Sequence, residues 1–289
     1  MEYTISNGAI NLMVVGATYS LVLPLLLCVI FKKRFKAHLK PFFLGMLTYL
    51  AFSFFLANIL NGLILQFIDA DSLSTPLLFI LLLFSQAIVA VIAQVGKYYS
   101  IHILKNDPKP DKYARRGDAL EFGTGFAGLE AVMTIGVTMT SYIMYASIIL
   151  GGNVQSMLDS YTGADAAQIQ GIFETLSTTP VSNYVAVILQ GVAMILFQLA
   201  STLLVYRAVY GENDKDYFRL AIVFHIIMVV PGCIINAGLI KSIWFETILT
   251  LVFGIASLVY AYDKIKEYEK KYVKDMLGTK KGKKIIHLK

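Results

Sequence analysis

Charge is scarce in this sequence. Asp, Glu, Lys and Arg make up 15% of its 289 residues, against about 25% in a soluble domain. Hydrophobic residues make up 57%, and the mean hydropathy is +0.66. No soluble core can hide that much apolar chain, which excludes a soluble enzyme, a nucleic-acid-binding domain and a disordered protein. Cysteine is nearly absent. Cys28 and Cys233 both fall inside apolar runs and read as small buried hydrophobes, not as a disulfide or metal pair. Of the four His, only His225 lies mid-run, and no zinc spacing exists, so no metal or other cofactor is expected. No basic stretch precedes the first apolar run. A cleavable signal is therefore not expected, and that run should stay as an anchor. The apolar runs lack the period-two alternation that a β-barrel needs.

What is present is a set of long apolar runs. A helix needs about 20 apolar residues to cross a bilayer. Seven stretches qualify: Ile10–Phe31, Phe42–Ile68, Pro76–Leu104, Ala119–Leu150, Val181–Val209, Phe218–Gly238 and Ile240–Ile265. The third and fourth exceed the need, so they should tilt, kink or project into water. Basic residues set direction. Clusters at Lys32–Lys40, around Lys97–Arg116 (with Lys105, Lys109, Lys112 and Arg115), at Arg207–Arg219 and in the tail all share one parity. Lys241 alone falls in a connection of the other parity. Those other connections carry Asp69, Asp71, Asp159, Asp165 and Glu174. The expectation is an all-α polytopic bundle of about seven transmembrane helices in the cell membrane, with the N-terminus outside and the C-terminus cytosolic. Residues 1–265 form the membrane domain and 266–289 a basic cytosolic amphipathic tail.

The tail carries the excess charge, with ten Lys from Lys264 to Lys289 against Glu267, Glu269 and Asp275. Ile265, Tyr268, Tyr272 and Met276 share a helical face. A basic helix just after a span points to anionic lipid headgroups, not to nucleic acid, because the orientation rule alone explains the charge. In the longest outer connection, Ala164–Leu176 reads as a helix with Ile169, Ile172, Phe173 and Leu176 on one face. It could lie on the outer leaflet or act as a lid over an outward-facing cavity.

An ionisable group inside a span is costly and marks a functional site by default, while small and polar residues also glue helices together. In the fourth span Ala119, Gly123, Ala127 and Ala131 recur every four residues, a ridge for close helix packing. Glu130 begins a second stripe with Thr134, Thr138, Ser141 and Tyr145, which could line a cavity or pair with a neighbouring helix. Glu121 falls on the opposite face and reads as structural. Gly123-Thr-Gly125-Phe-Ala-Gly128 matches a dinucleotide fingerprint by letter, but that motif needs a strand before it and a soluble βαβ unit around it. Gln86, Gln94 and Lys97 share a face of the third span, with Lys97 able to snorkel toward the cytosol. In the sixth span His225, Gly232 and Asn236 align beside Pro231. His225 is either a satisfied structural His or a site residue facing Glu130. Asn58, Asn61, Asn183, Gln190 and Gln198 read as interhelical hydrogen-bonding groups.

The segment order resembles the YhfC-type intramembrane proteases, relatives of the glutamic-type CAAX-processing enzymes, over most of the chain. Three motifs carry the resemblance. The family has Glu-Glu-x-x-Arg late in the third span, where this chain has Ala93-Gln94-Val95-Gly96-Lys97-Tyr98-Tyr99. A basic connection then leads to a Gly-His-Gly-Gly-Ile-Glu-Ala run, which here reads Gly125-Phe126-Ala127-Gly128-Leu129-Glu130-Ala131. A later span carries a His with an acid or amide one turn on, and here His225 is followed by Val229. The departures fall on the chemistry. Intramembrane hydrolysis needs a base for water and a donor for the oxyanion. Ala93 and Gln94 cannot supply the base, Lys97 replaces the Arg, and Phe126 replaces the His.

The resemblance implies a retained protease-like fold. The leading reading is a non-catalytic protein that holds a peptide, a transmembrane segment or a partner membrane protein in a cleft. Gln94, Lys97, Thr134 and Asn236 would be its cavity polar groups, and Gly123, Ala127 and Gly128 its helix-packing positions. One alternative is an active intramembrane peptidase using Glu130 and His225. Another is a small-solute transporter, although no clear internal repeat is visible.

Overall fold

The computed structural model describes residues 3–66, 68, 73–107, 115–211 and 214–286, with side chains to residue 270. Asp69, Asp71, Lys109, Lys112, Tyr272, Asp275, Met276 and Lys289 lie outside the described side chains. The described chain is almost entirely helical, and it contains seven helices long and apolar enough to cross a membrane. They are α1 (Asn7–Phe35), α2 (Leu39–Leu65), α3 (Thr75–Lys105), α4 (Arg116–Leu150), α7 (Val181–Tyr210), α8 (Asp216–Asn236) and α9 (Ile243–Ile286). Two shorter helices, α5 (Val154–Asp159) and α6 (Gly163–Thr178), lie between the fourth and fifth spans.

Local chemistry sets several of the ends. Ser6 caps α1 by accepting from the Ala9 amide at 3.2 Å, which satisfies one of the free N–H groups of the first turn. Lys36, with φ of 52°, ends α1 in the left-handed conformation. Pro76 sits at the start of α3, where a missing N–H costs nothing. Helix α9 runs 44 residues, about 66 Å at 1.5 Å per residue. That is twice the ~30 Å hydrocarbon core, so the basic tail continues the seventh span as one helix.

Two spans are not regular. Tyr49–Leu56 in α2 and Val132–Gly136 in α4 are π-helical. A π turn adds a residue without adding a turn, so each one rotates the downstream face. The hydroxyl stripe therefore breaks apart: Thr134 faces the main cavity, Thr138 is exposed, and Tyr145 packs edge-on against Phe173 of α6.

Helix α7 is the central post. Its stretch from Ile195 to Val209 is buried on nearly all sides by α3, α4, α8 and α9. Lipid tails are as apolar as leucine, so close approach and polar contacts hold such helices together. The ridge predicted on α4 does this against α7: Ala119, Ala127 and Ala131 are fully buried, and Gly123 faces Leu199 and Thr202. Gly128 lies against Pro24 of α1. Gly45 of α2 and Gly125 of α4 meet the backbone of the opposite helix. A methyl group on Gly45 would overlap the Phe122 carbonyl, and one on Gly125 the Phe42 carbonyl.

At the basic end, ion pairs fix the connections. His38 Nδ1 lies 2.9 Å from Asp118 Oδ1, Arg116 Nε 3.3 Å from Glu269 and Arg207 Nε 3.0 Å from Asp214. Glu121 is fully buried beside Cys28. At the opposite end, α6 packs onto the bundle. Ile169, Phe173 and Leu176 enter a cluster with Met13, Met139 and Tyr184. No α6 residue lines the main cavity.

Candidate functional site

A cavity of about 360 Å³ lies among α3, α4, α7, α8 and the start of α9. Glu130, Thr134, Gln198 and His225 line one part of it, and Gln86, Gln190, Asn236 and Glu246 another. His225 and Asn236 stand eleven residues apart on α8, about 16 Å along its axis. The cavity is therefore elongated, with a carboxylate toward each end.

The Glu130 end is built by a buried bridge. Lys97 does not snorkel outward as the sequence suggested; it is fully buried and points into the bundle. Its Nζ donates to Gln198 Oε1 at 2.5 Å and to Ser201 Oγ at 2.7 Å, and it lies 4.3 Å from the centroid of the Phe126 ring. An ammonium has three protons, and two oxygens and a π face meet them. The Phe126 ring is itself held edge-on by Tyr49. On its other side the Gln198 amide donates from Nε2 to Glu130 Oε2 at 2.7 Å. One glutamine thus links a buried cation to a carboxylate, and the pair offset each other's charge in a place where either alone would be costly.

His225 stands in the same cavity, 7% exposed. Gln94 reaches it from α3, with Nε2 donating to Nδ1 at 2.9 Å. An acceptor at Nδ1 leaves the ring proton on Nε2. Phe197 packs against the ring at 5.1 Å between centroids. Gln94 is fully buried, and its Oε1 has no hydrogen-bond partner.

Glu130, His225, Thr134 and Asn236 therefore share one cavity, while Gln94 and Lys97 lie behind its wall and orient the groups that line it. Ser201 and Glu246 went unnoticed in the sequence. Ser201 gave no signal, because a hydroxyl on an apolar helix is ordinary. Glu246 gave a clear one, since the rule that singles out Glu130 applies equally to an acid one turn into the seventh span.

The arrangement offers two carboxyl groups, one imidazole and several amides facing an internal space. Glu130 could take a proton from water, and His225 Nε2–H could donate to an oxyanion.

The sequence profile described as "YhfC intramembrane metalloprotease" matches residues 19–269. An uncharacterized membrane protein, YhfC of Bacillus subtilis (strain 168), is 26% identical over 257 residues, covering 87% of this chain and 95% of that protein. No solved structure matches the chain. The profile's description names a metal enzyme, where the motifs pointed to glutamic-type relatives. The residues present do not fit a catalytic metal: among those described, no group of three or more His, Cys, Asp or Glu is placed to hold one. The Lys97 ammonium also sits one amide away from Glu130. With the profile matching most of its length, the chain belongs to the YhfC intramembrane metalloprotease family.

Proposed function

We propose that this multi-pass membrane protein holds an apolar peptide or transmembrane segment in the Glu130–His225 cavity without hydrolysing it. The observation that supports this reading most is how the α3 polar groups are used. Position 94, where the resemblance places a catalytic glutamate, carries an amide bonded to His225. Position 97 carries an ammonium bonded to Gln198 and Ser201. An amide cannot deprotonate water, and neither side chain lines the cavity. The cavity volume, about 360 Å³, is near the low end of the ~300–1,000 Å³ usual for ligand pockets. It suits a few side chains of an inserted segment.

The test is photocrosslinking of the full chain in native membranes, with a photoreactive residue replacing Met194 or Met228, both of which line the cavity. A discrete adduct to an uncleaved membrane polypeptide is expected. Cleavage of model transmembrane substrates by the unmodified reconstituted protein would overturn the reading.

One observation favours a second reading, an active peptidase: Glu130 and His225 line the same cavity. Under it, Glu130→Gln abolishes cleavage, compared per amount of folded, solubilised protein, and Lys97→Met with Glu130→Gln stays inactive while recovering folded yield.

A further inference from the structure

The Glu246 end of the cavity differs from the Glu130 end in its charge balance. Glu130 has Lys97 behind it, through Gln198. No described Lys, Arg or His forms an ion pair with Glu246. Lys241, five residues earlier, precedes α9 and is exposed. Glu246 lies in the first turn of α9, beside the unpaired N–H groups of the helix start. Its carboxylate lines the cavity, beside Gln190 of α7 and near Cys233 of α8.

Gly232 makes room for it. A Cβ at that position would lie 2.9 Å from Glu246 Oε1. The other polar side chains of the lining at this end are the amides of Gln86, Gln190 and Asn236 and the hydroxyl of Thr250. The Gln190 side-chain amide lies close enough to donate to the Glu246 carboxyl. This end of the cavity holds one carboxyl group and no described cation, with Val187 among its apolar walls.

We propose that the Glu246 recess binds an organic cation, an ammonium or guanidinium group, supplied by the ligand. The chemistry is carboxylate recognition of N–H donors, which is strong where water is excluded. Two sources carry such a group: a Lys or Arg side chain near one end of a bound membrane segment, or a free amine solute. The first source rests on the function proposed above and adds a sequence requirement to it. The cation site itself does not depend on that reading.

The experiment uses the full chain in nanodiscs and two fluorescent apolar helical peptides, one with a single Arg near its end and one with norleucine there. The Arg peptide should bind about tenfold more tightly, a difference of ~1.4 kcal/mol. Glu246→Gln should erase that preference, and Glu246→Asp should keep part of it. Gly232→Ala, which crowds the carboxylate without removing it, should also weaken it. In the second arm, guanidinium and butylammonium are tested for Glu246-dependent protection against thermal unfolding. Equal binding of the two peptides to the unmodified protein overturns the cation site, as does an Arg preference that survives Glu246→Gln. If neither peptide binds, the segment-holding function fails. Protection by guanidinium that Glu246→Gln removes then upholds the cation site, and its absence overturns it.

Discussion

Gln94 and His225 stand 131 positions apart in the chain and share a buried 2.9 Å hydrogen bond from Nε2 to Nδ1. The bond ties α3 to α8, and with Nδ1 accepting, the ring proton sits on Nε2. A glutamate at position 94 would instead favour a proton on Nδ1 and strip Nε2 of its donor role when the ring is neutral. The identity of one α3 residue thus sets the chemistry available on α8.

Replacing Gln94 with Leu removes that partner and leaves a buried imidazole nitrogen unsatisfied. The expected loss is ~1–3 kcal/mol, read as a lowered midpoint of unfolding in mixed detergent. Rebuilding the first acid that the resemblance places on α3 is harder. Ala93 is 1% exposed and packs with Tyr49 and Phe126, so Ala93→Glu would bury an unpartnered carboxylate. A cost of ~3 kcal/mol or more is expected, with poor recovery of folded protein. Good recovery would show that this cluster yields more readily than its packing implies.

The Lys97–Gln198–Glu130 bridge predicts strong coupling. Lys97→Met leaves the carboxylate without its cation and should cost ~3–5 kcal/mol. Adding Glu130→Gln should recover a large part of that loss. Double-mutant analysis should return an interaction of ~1 kcal/mol or more. Additive effects would mean that the two charges do not sense each other through the amide.

The α2–α4 crossing depends on glycine at two positions. Gly45→Ala and Gly125→Ala each drive a methyl group into a backbone carbonyl of the facing helix. Overpacking of this kind costs ~1–3 kcal/mol or more, and a carbonyl cannot rotate away as a side chain can. Gly171 in α6 is the control. Nothing lies within 4 Å of a Cβ built there, so Gly171→Ala should be neutral or stabilising by up to ~1 kcal/mol. Thermal unfolding of the three variants side by side separates close approach from helix propensity.

Orientation is open to direct test. Single cysteines at Asp165 and Lys270, in a chain lacking Cys28 and Cys233, should respond oppositely to a membrane-impermeant maleimide. The position 165 cysteine should label in intact cells and the position 270 cysteine after permeabilisation. The reverse pattern would invert the topology drawn from the Lys and Arg distribution.

Much of this protein is written in its sequence. Apolar runs of bilayer length determine the seven spans, because a helix in lipid must satisfy its own backbone and present apolar side chains outward. The four-residue repeat of Ala119, Gly123, Ala127 and Ala131 marks a packing ridge for the same local reason: residues four apart share a face. Glu130 and His225 stand out because a titratable group in a span is costly.

Tertiary structure decided which groups meet. Helical periodicity shows that Gln94 and Lys97 share a face, but not that one faces His225 and the other Gln198. Those partners lie more than 100 positions away, and their distances depend on how the helices cross. The π turn at Val132–Gly136 rotates α4 beyond Thr134, so a stripe drawn at constant period ran true to that residue and then failed. Lys97 turned inward because Gln198, Ser201 and the Phe126 ring together replace the water it would otherwise seek. That balance is set by three residues from two other helices, and it comes into being when the helices pack.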